Sequence, residues 1–326
     1  MTVAPAQRGM TVISVVWVAI LIAFVAATAN GTLLSRLHFM DVRLPVLAAG
    51  AFLSAPGWIL LALAARGRRT PWGWLVFAAA WGAFAATWLA STAEVLLQPV
   101  FEGIASAVAS LGRTVVEAAP AAVIAPIAEE PAKLLGAWIV LLAARRAGAQ
   151  TTAALGAAIG GLVGLWFGLG EAAHHLGEFV GDLGAVDLTG RFIVDWDLVG
   201  RVAELQLVTK LFLAGLTNHA LFSALAGAGL ALLLQGRRSV AIGCFLAALA
   251  AHALLNSVGV ILGEWLLNGL LAGPGPFGPG AIPLVVAAWL AALGAFLVAE
   301  GWAAVLFVYF LRLEERRPSW RVASGA

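Results

Sequence analysis

The sequence predicts an all-α fold, a polytopic membrane helical bundle with about eight transmembrane helices, and two observations support this prediction. The 326 residues are 62% hydrophobic and only 11% charged, with a mean hydropathy of +0.97, whereas soluble domains are nearer half apolar and a quarter charged. The apolar residues also form runs of roughly 20 residues or more, the length that a helix needs to cross a bilayer. We expect a single integral membrane domain over residues 1–326.

Eight apolar runs are long enough to be transmembrane helices. In chain order they cover residues 11–29, 44–65, 72–91, 121–144, 153–178, 206–235, 240–263 and 283–311. The first run follows Arg8 and ends near a sequence that resembles a signal-peptide cleavage site, but it is longer than the apolar core of a usual signal peptide. We therefore expect an uncleaved first helix.

Three connecting segments have a character of their own. Residues 92–120 place single acidic residues among apolar ones, a pattern typical of an amphipathic helix at the membrane interface. Residues 179–204 are rich in aspartate and predict an acidic outer loop. Residues 273–283 are rich in glycine and proline and predict a further loop.

The arginines set the expected topology, because the cytoplasmic loops of membrane proteins carry an excess of basic residues. Twelve of the 17 arginines precede the first span or follow an even-numbered span, and the other five fall on the opposite side. This alternation predicts a multi-pass protein of the cell membrane with both termini in the cytoplasm.

Charge and cysteine content exclude other classes of protein. The formal net charge is +2, which is too small to indicate a nucleic-acid partner. Cys244 is the only cysteine, so an internal disulfide and a thiol-based metal site are both excluded. The partner that the composition indicates is the lipid bilayer, and nothing in the sequence indicates an oligomeric state.

Glu129 and Glu130 stand side by side inside the fourth apolar run, with Lys133 one turn later. One carboxylate at the centre of a membrane helix costs roughly 2.5–3.5 kcal/mol on insertion scales, so ionisable residues at this depth indicate a functional site. Pro131 follows the pair and removes a backbone hydrogen bond, which is expected to bend the helix. Such a bend is tolerated where the backbone lines protein or a water-filled cavity.

Three further helices bring polar residues to the same depth. Span five carries Glu171, span six carries His219, and span seven carries His252 with Asn256 one turn later. At 1.5 Å per residue, these positions and the glutamate pair fall in one slab between the outer surface and just past the midplane. We expect a catalytic helix core over residues 121–260, in which these side chains face one water-accessible cavity.

Span five is expected to be the central helix, because glycines at four-residue spacing let a neighbouring backbone approach closely. These glycines are Gly156, Gly160, Gly164 and Gly168. His174 and His175 follow near the membrane surface, where we expect a structural or interfacial role.

A carboxylate and imidazoles around a water molecule can hydrolyse an amide bond. The carboxylate takes a proton from water, and imidazole and amide N–H groups stabilise the developing oxyanion. The chain has neither a GxSxG nor an HExxH motif, so a serine nucleophile is not expected, and this mechanism needs no cofactor. Zinc remains an alternative, since Glu129 or Glu130 with His219 and His252 can ligate it.

Four segments of the chain, taken in order, resemble the PrsW family of glutamate-dependent intramembrane proteases, which is related to the CAAX-processing and bacteriocin-processing membrane proteases. The segments are Glu129-Glu130-Pro-Ala-Lys133, Phe167-Gly-Leu-Gly-Glu171, His219-Ala-Leu-Phe-Ser223 and His252-Ala-Leu-Leu-Asn256. The resemblance runs from about residue 121 to residue 260.

The resemblance implies a helical membrane protease that cleaves a membrane-associated protein or peptide, which is an anti-sigma factor in the regulatory members. By position it implies a catalytic site of Glu129, Glu130, His219, His252, Asn256 and Glu171. Ala172 stands where the family often has asparagine after this last glutamate. Glu171 therefore either binds water or only supports the site.

We expect Glu129 to act as the general base without a metal. Its neighbour Glu130 would orient the water or share its proton, because two adjacent buried carboxylates cannot both ionise cheaply. His252 and Asn256 would stabilise the oxyanion, and His219 would hold the water or protonate the leaving amine.

Two other functions are compatible with the same residues. Buried Glu, His and Lys side chains also build proton relays, so a proton-coupled transporter or channel is one alternative. An inverted repeat would favour a carrier, and the span pattern contains none. The other alternative is a non-catalytic relative that binds membrane peptides.

Overall fold

The computed structural model describes residues 44–68, 70–107, 123–183, 185–186, 192–193 and 216–271. The helices, in chain order, are α1 (Leu44–Leu53), α2 (Ala55–Arg66), α3 (Trp72–Ala80), a π-helical segment (Trp81–Ala86), α4 (Thr87–Ala107), α5 (Ala125–Arg146), α6 (Ala153–Leu183), α7 (Leu216–Leu234) and α8 (Arg238–Leu271). The expected spans 11–29 and 283–311 and the expected loop 273–283 lie outside the described residues.

The described part of the chain is helical apart from one short β pairing. Strands β1 (Ala185–Val186) and β2 (Phe192–Ile193) pair antiparallel, with Ala185 opposite Ile193. Both strands lie within the expected acidic outer loop, most of which is outside the described residues. The helical fold class is confirmed, and the number of eight spans stays a prediction.

Helices of membrane-spanning length are present, as expected. Among the described residues, three helical stretches are long and apolar enough to cross a membrane: Trp72–Gly103, Ala153–His175 and Arg238–Ser257. Helix α5 has 22 residues, a length of roughly 33 Å at 1.5 Å per residue, but its apolar sequence is interrupted by the glutamate pair.

The expectation of a separate interfacial helix over 92–120 is wrong for the residues that are described. The π-helical segment joins α3 to α4 without a break, so residues 92–107 continue the third span. No glycine or proline interrupts the sequence between Gly82 and Pro99, and the helix then continues through Pro99 to Ala107. Val95 and Leu96 are 68% and 73% exposed, as suits a helix surface that lipid covers.

The second expected span, 44–65, is two helices rather than one. It breaks at Ser54, whose hydroxyl donates a hydrogen bond to the carbonyl oxygen of Gly50 at 2.8 Å. Pro56 lies in the first turn of α2, where its lack of an N–H has no cost. A proline at that position cannot continue the hydrogen bonding of α1, which accounts for the break.

Helix α6 is the central helix, as its glycine spacing predicts. It packs against α1, α2, α3, the π-helical segment, α5 and α7. Gly156, Gly160 and Gly164 lie directly against backbone carbonyl groups of α7, so that a Cβ added at any of them would overlap a carbonyl oxygen. Because α6 and α7 are in backbone contact, the functional residues on the two helices are close to one another.

Candidate active site

Helix α5 carries the glutamate pair on its buried side. Glu129 is 4% exposed, and Glu130 and Lys133 are fully buried. The other side exposes Pro131 and Leu135, which are four residues apart and so share one helix face. The apolar face of α5 therefore points out of the bundle, and its charged residues point into it.

The π-helical segment holds α5 in place beside the glutamate pair. The Trp81 indole nitrogen Nε1 donates a hydrogen bond to the carbonyl oxygen of Ala132 at 2.9 Å. One turn later, Gly136 lies against the Trp81 ring, where a Cβ would overlap the indole. π-helical turns are rare in proteins overall, and those that occur are often at functional sites. This contact could not be predicted from the sequence, because a tryptophan in an apolar run has no distinguishing pattern.

Lys133 lies at the centre of the buried polar cluster. Its ammonium nitrogen Nζ is 2.6 Å from Glu130 Oε1 and 3.1 Å from Glu129 Oε2, and it is 3.2 Å from His219 Nδ1. It also lies over the Phe167 ring, 4.3 Å from the ring centroid, a cation–π contact. A lysine ammonium has three N–H donors, so these three acceptors satisfy it completely.

His252 is held by the second glutamate of the pair. Its ring nitrogen Nδ1 lies 2.9 Å from Glu130 Oε1. Because an ionised carboxylate only accepts hydrogen bonds, this contact places the proton of a neutral imidazole on Nδ1. The other nitrogen, Nε2, then has a free lone pair. That atom is buried, has no hydrogen-bond partner among the described residues, and lies 3.6 Å from Glu129 Oε2.

His219 is held in the same way by Glu171. Its ring nitrogen Nε2 lies 2.9 Å from Glu171 Oε2, so the same argument places the proton of a neutral ring on Nε2. Its Nδ1 lies 3.7 Å from Glu129 Oε2. Each histidine thus has one nitrogen bound by a carboxylate and the other near Glu129.

Aromatic rings close the cluster on the side of α6 and α7. The His219 ring lies 5.3 Å from Phe167 and 5.2 Å from His252 between ring centroids, and Phe222 stacks on His252 at 5.4 Å. Phe167 and Phe222 are both 1% exposed. Electrostatic interactions between the charged groups are strengthened by this apolar surrounding.

The residues present fit a divalent metal ion. Glu129, His219 and His252 each offer one ligand atom, and these atoms lie within 4.8 Å of one another. Catalytic zinc sites use three such protein ligands, and zinc-ligating histidines commonly donate their other N–H to a carboxylate, as both rings do. The orphaned Nε2 of His252 is a buried lone pair that a metal would satisfy.

The structure brings together the four side chains whose proximity the sequence predicts, namely Glu129, Glu130, His219 and His252. Glu171 joins them by contacting His219 directly, while Asn256 follows His252 by one turn of α8 and is half-buried. Nε2 of the half-exposed His175, one turn after Glu171 on α6, lies 3.4 Å from Glu171 Oε1.

Lys133 is not among the site residues predicted from the sequence, although its spacing of three and four residues from the glutamate pair places all three on one helix face. That spacing was the available signal. An ammonium in contact with both carboxylates and with His219 belongs to the site itself.

The geometry agrees with a comparison with known protein families. The sequence profile described as "PrsW family intramembrane metalloprotease" matches residues 70–292 of this chain. This match covers the π-helical segment and every residue of the polar cluster. The comparison found no significant match among curated proteins or among solved structures.

Proposed function

Since this chain belongs to the PrsW family of intramembrane metalloproteases, we propose that it hydrolyses a peptide bond of a membrane-associated protein, using water activated beside Glu129. The observation that carries this proposal is the convergence of Glu129, His219 and His252, whose ligand atoms lie within 4.8 Å of one another. The family assignment favours hydrolysis over the transport function that the same residue types allow. An anti-sigma factor is the first substrate class to test.

We propose that Glu129, His219 and His252 hold a metal ion, and zinc is the ion that this donor set suits best. When bound, the ion supplies a Lewis acid that polarises the scissile carbonyl group. This proposal takes up the zinc alternative rather than the metal-free mechanism expected from the sequence, because the family is one of metalloproteases and both histidine rings are oriented by carboxylates.

The two glutamates of the pair are proposed to have different roles. Oε1 of Glu130 holds Nδ1 of His252 and so fixes the tautomer of that ring. Oε2 of Glu130 is buried without a hydrogen-bond partner among the described residues, and we propose that it accepts the proton of the attacking water. Glu129 is then a ligand rather than the base.

Of the remaining site residues, one is proposed to position a histidine ring and the other to stabilise the negative charge that develops on the substrate. Glu171 holds His219 through Nε2. Of the two roles expected for this glutamate, the contact favours orienting a site residue over binding water directly. Asn256, one turn after His252, donates its amide N–H to the substrate carbonyl oxygen as negative charge develops there. Together these residues occupy the expected catalytic core, 121–260.

The proposal is tested by reconstituting the purified protein in lipid bilayers with a labelled single-pass membrane substrate. Wild-type protein should produce a defined cleavage product. Glu129→Gln should lower the rate by more than about 100-fold, because it weakens a direct metal ligand and changes even to outer-shell partners of a metal cost about 10–100-fold, while the helical content is retained because glutamine has nearly the same size. Glu102→Gln, which alters an exposed carboxylate on α4, is the matched control and should cleave normally. Equal cleavage by wild type and Glu129→Gln would contradict the proposal.

A further inference from the structure

Lys133 contacts the same atoms that a metal ion would use. Two of its three hydrogen bonds go to Glu129 Oε2, at 3.1 Å, and to His219 Nδ1, at 3.2 Å. The third goes to Glu130 Oε1. The candidate ligand atom that Lys133 does not contact is Nε2 of His252, which has no hydrogen-bond partner among the described residues.

An imidazole nitrogen has one lone pair in the ring plane, so Nδ1 of His219 cannot accept a hydrogen bond from Lys133 and ligate a metal at the same time. Ligand distances of about 2.0–2.2 Å would also bring a dication close to the ammonium. We propose that Lys133 competes with the metal ion for Glu129 and His219 and thereby lowers the metal affinity of the site. This inference rests on the metal centre of the proposed function.

The geometry also indicates where Lys133 stays when it releases those two atoms. Its contact with Glu130 Oε1 is the shortest of the three, at 2.6 Å, and Glu130 is not one of the three converging ligands. The Phe167 ring below Nζ, at 4.3 Å, offers a second favourable contact for a cation. A small movement away from Glu129 and His219 therefore leaves Lys133 paired and buried.

Competition and support predict opposite effects of removing the lysine charge. If Lys133 only positioned the ligands, Lys133→Met would disorder Glu129 and His219 and weaken metal binding. If it competes, the same change frees both ligand atoms and removes a positive charge near the ion, so metal binding becomes tighter. In the absence of metal, the variant has two buried carboxylates without their cation, which destabilises the fold.

The experiment measures zinc affinity by competition with a chromophoric chelator, using the full-length protein purified in detergent and expressed with added zinc. Lys133→Met should bind zinc at least about tenfold more tightly than wild type. When zinc is removed by a chelator, the unfolding temperature of Lys133→Met should fall by several degrees more than that of wild type does. Added zinc should restore it. Arg146→Met, which removes an exposed charge from the same helix, is the matched control and should bind zinc as wild type does.

Lys133→Gln is a second variant that should also bind zinc more tightly than wild type, because it keeps hydrogen-bond donors but removes the charge. If both uncharged variants bind zinc as weakly as wild type or more weakly, the competition is refuted. Failure of wild type and both variants to bind zinc would also refute it. Tighter zinc binding by the variants, together with no cleavage of membrane substrates by any of the proteins, would support the competition and contradict the proposed function.

Discussion

The side chains of the site are arranged so that each histidine ring has two different neighbours. Glu130 holds Nδ1 of His252 and Glu171 holds Nε2 of His219, at 2.9 Å in both cases. The opposite nitrogens lie 3.6 and 3.7 Å from the same oxygen of Glu129. The two outer carboxylates thus orient the rings, and the inner carboxylate is the point on which they converge.

This arrangement predicts a measurable role for Glu171 as a positioning residue. Glu171→Gln keeps the size of the side chain but weakens the hydrogen bond that fixes His219, so we expect zinc affinity to fall by about 10–100-fold. The fall should be smaller than that caused by His219→Ala, which removes a ligand. Zinc affinity measured by chelator competition checks this prediction, and an unchanged affinity in Glu171→Gln would show that His219 does not depend on its partner.

Part of this site could be predicted from the sequence at the level of single residues. Glu129 and Glu130 stand out because a charge inside an apolar run has an energetic cost that requires a partner. His219 and His252 could be grouped with them because depth along a helix follows from the rise per residue. Which oxygen meets which nitrogen could not be predicted, because that depends on the rotation of each helix about its axis.

At the scale of helices, the site depends on two close backbone approaches. The π-helical segment brings the Trp81 indole to the carbonyl of Ala132, which positions α5. The glycines of α6 bring α7 into backbone contact, and Gly164 lies against the carbonyl of His219 itself. Any widening of the α6–α7 contact would therefore move His219 away from Glu129.

Gly164→Ala is expected to reduce both stability and cleavage. The added methyl group would lie 2.6 Å from the Cβ and Oγ atoms of Ser223 and would overlap the carbonyl oxygen of His219, so α7 must shift. Overpacking of this kind costs about 1–3 kcal/mol. Denaturant unfolding and the cleavage assay check both effects.

Gly243→Ala on α8 is the matched control for this substitution. An added Cβ at Gly243 meets nothing within 4 Å, and alanine favours the helix. This variant should be as stable as wild type or slightly more stable. Equal behaviour of the two alanine variants would contradict the importance of the α6–α7 contact.

The glycine spacing of α6 could be interpreted correctly because a regular four-residue period has a direct geometric consequence. The continuation of the third span through α4 could not be predicted. Isolated acidic residues in an apolar run suggest a surface helix whether or not that helix is continuous with its neighbour. The π-helical segment has no sequence pattern that distinguishes it from an α-helix.

At the scale of the whole molecule, the arginine distribution is the basis of the proposed orientation. We propose a protein of the cell membrane with both termini in the cytoplasm. Arg66, Arg68, Arg145 and Arg146 lie at the ends of α2 and α5. Arg237 lies between α7 and α8, and Arg238 is the first residue of α8. By the positive-inside rule, we expect these ends to lie on the cytoplasmic side.

This orientation predicts the labelling of single cysteines introduced into the Cys244→Ala protein. Gly184→Cys should react with an impermeant thiol reagent in intact cells, because the segment that contains it is expected to be external. Gly67→Cys, at the end of α2 beside the arginines, should react only after the membrane is permeabilised. Labelling of both positions in intact cells would contradict the eight-span topology.

The central claim, that a metal ion held by Glu129, His219 and His252 enables this protein to cleave membrane proteins, is tested most directly by removing and restoring the metal. Wild-type protein in lipid bilayers should lose cleavage of its membrane substrate on exhaustive chelation and regain it when zinc is added back. His252→Ala should remain inactive with or without zinc, because it lacks one ligand. Full cleavage by wild-type protein shown to contain no metal would contradict the account.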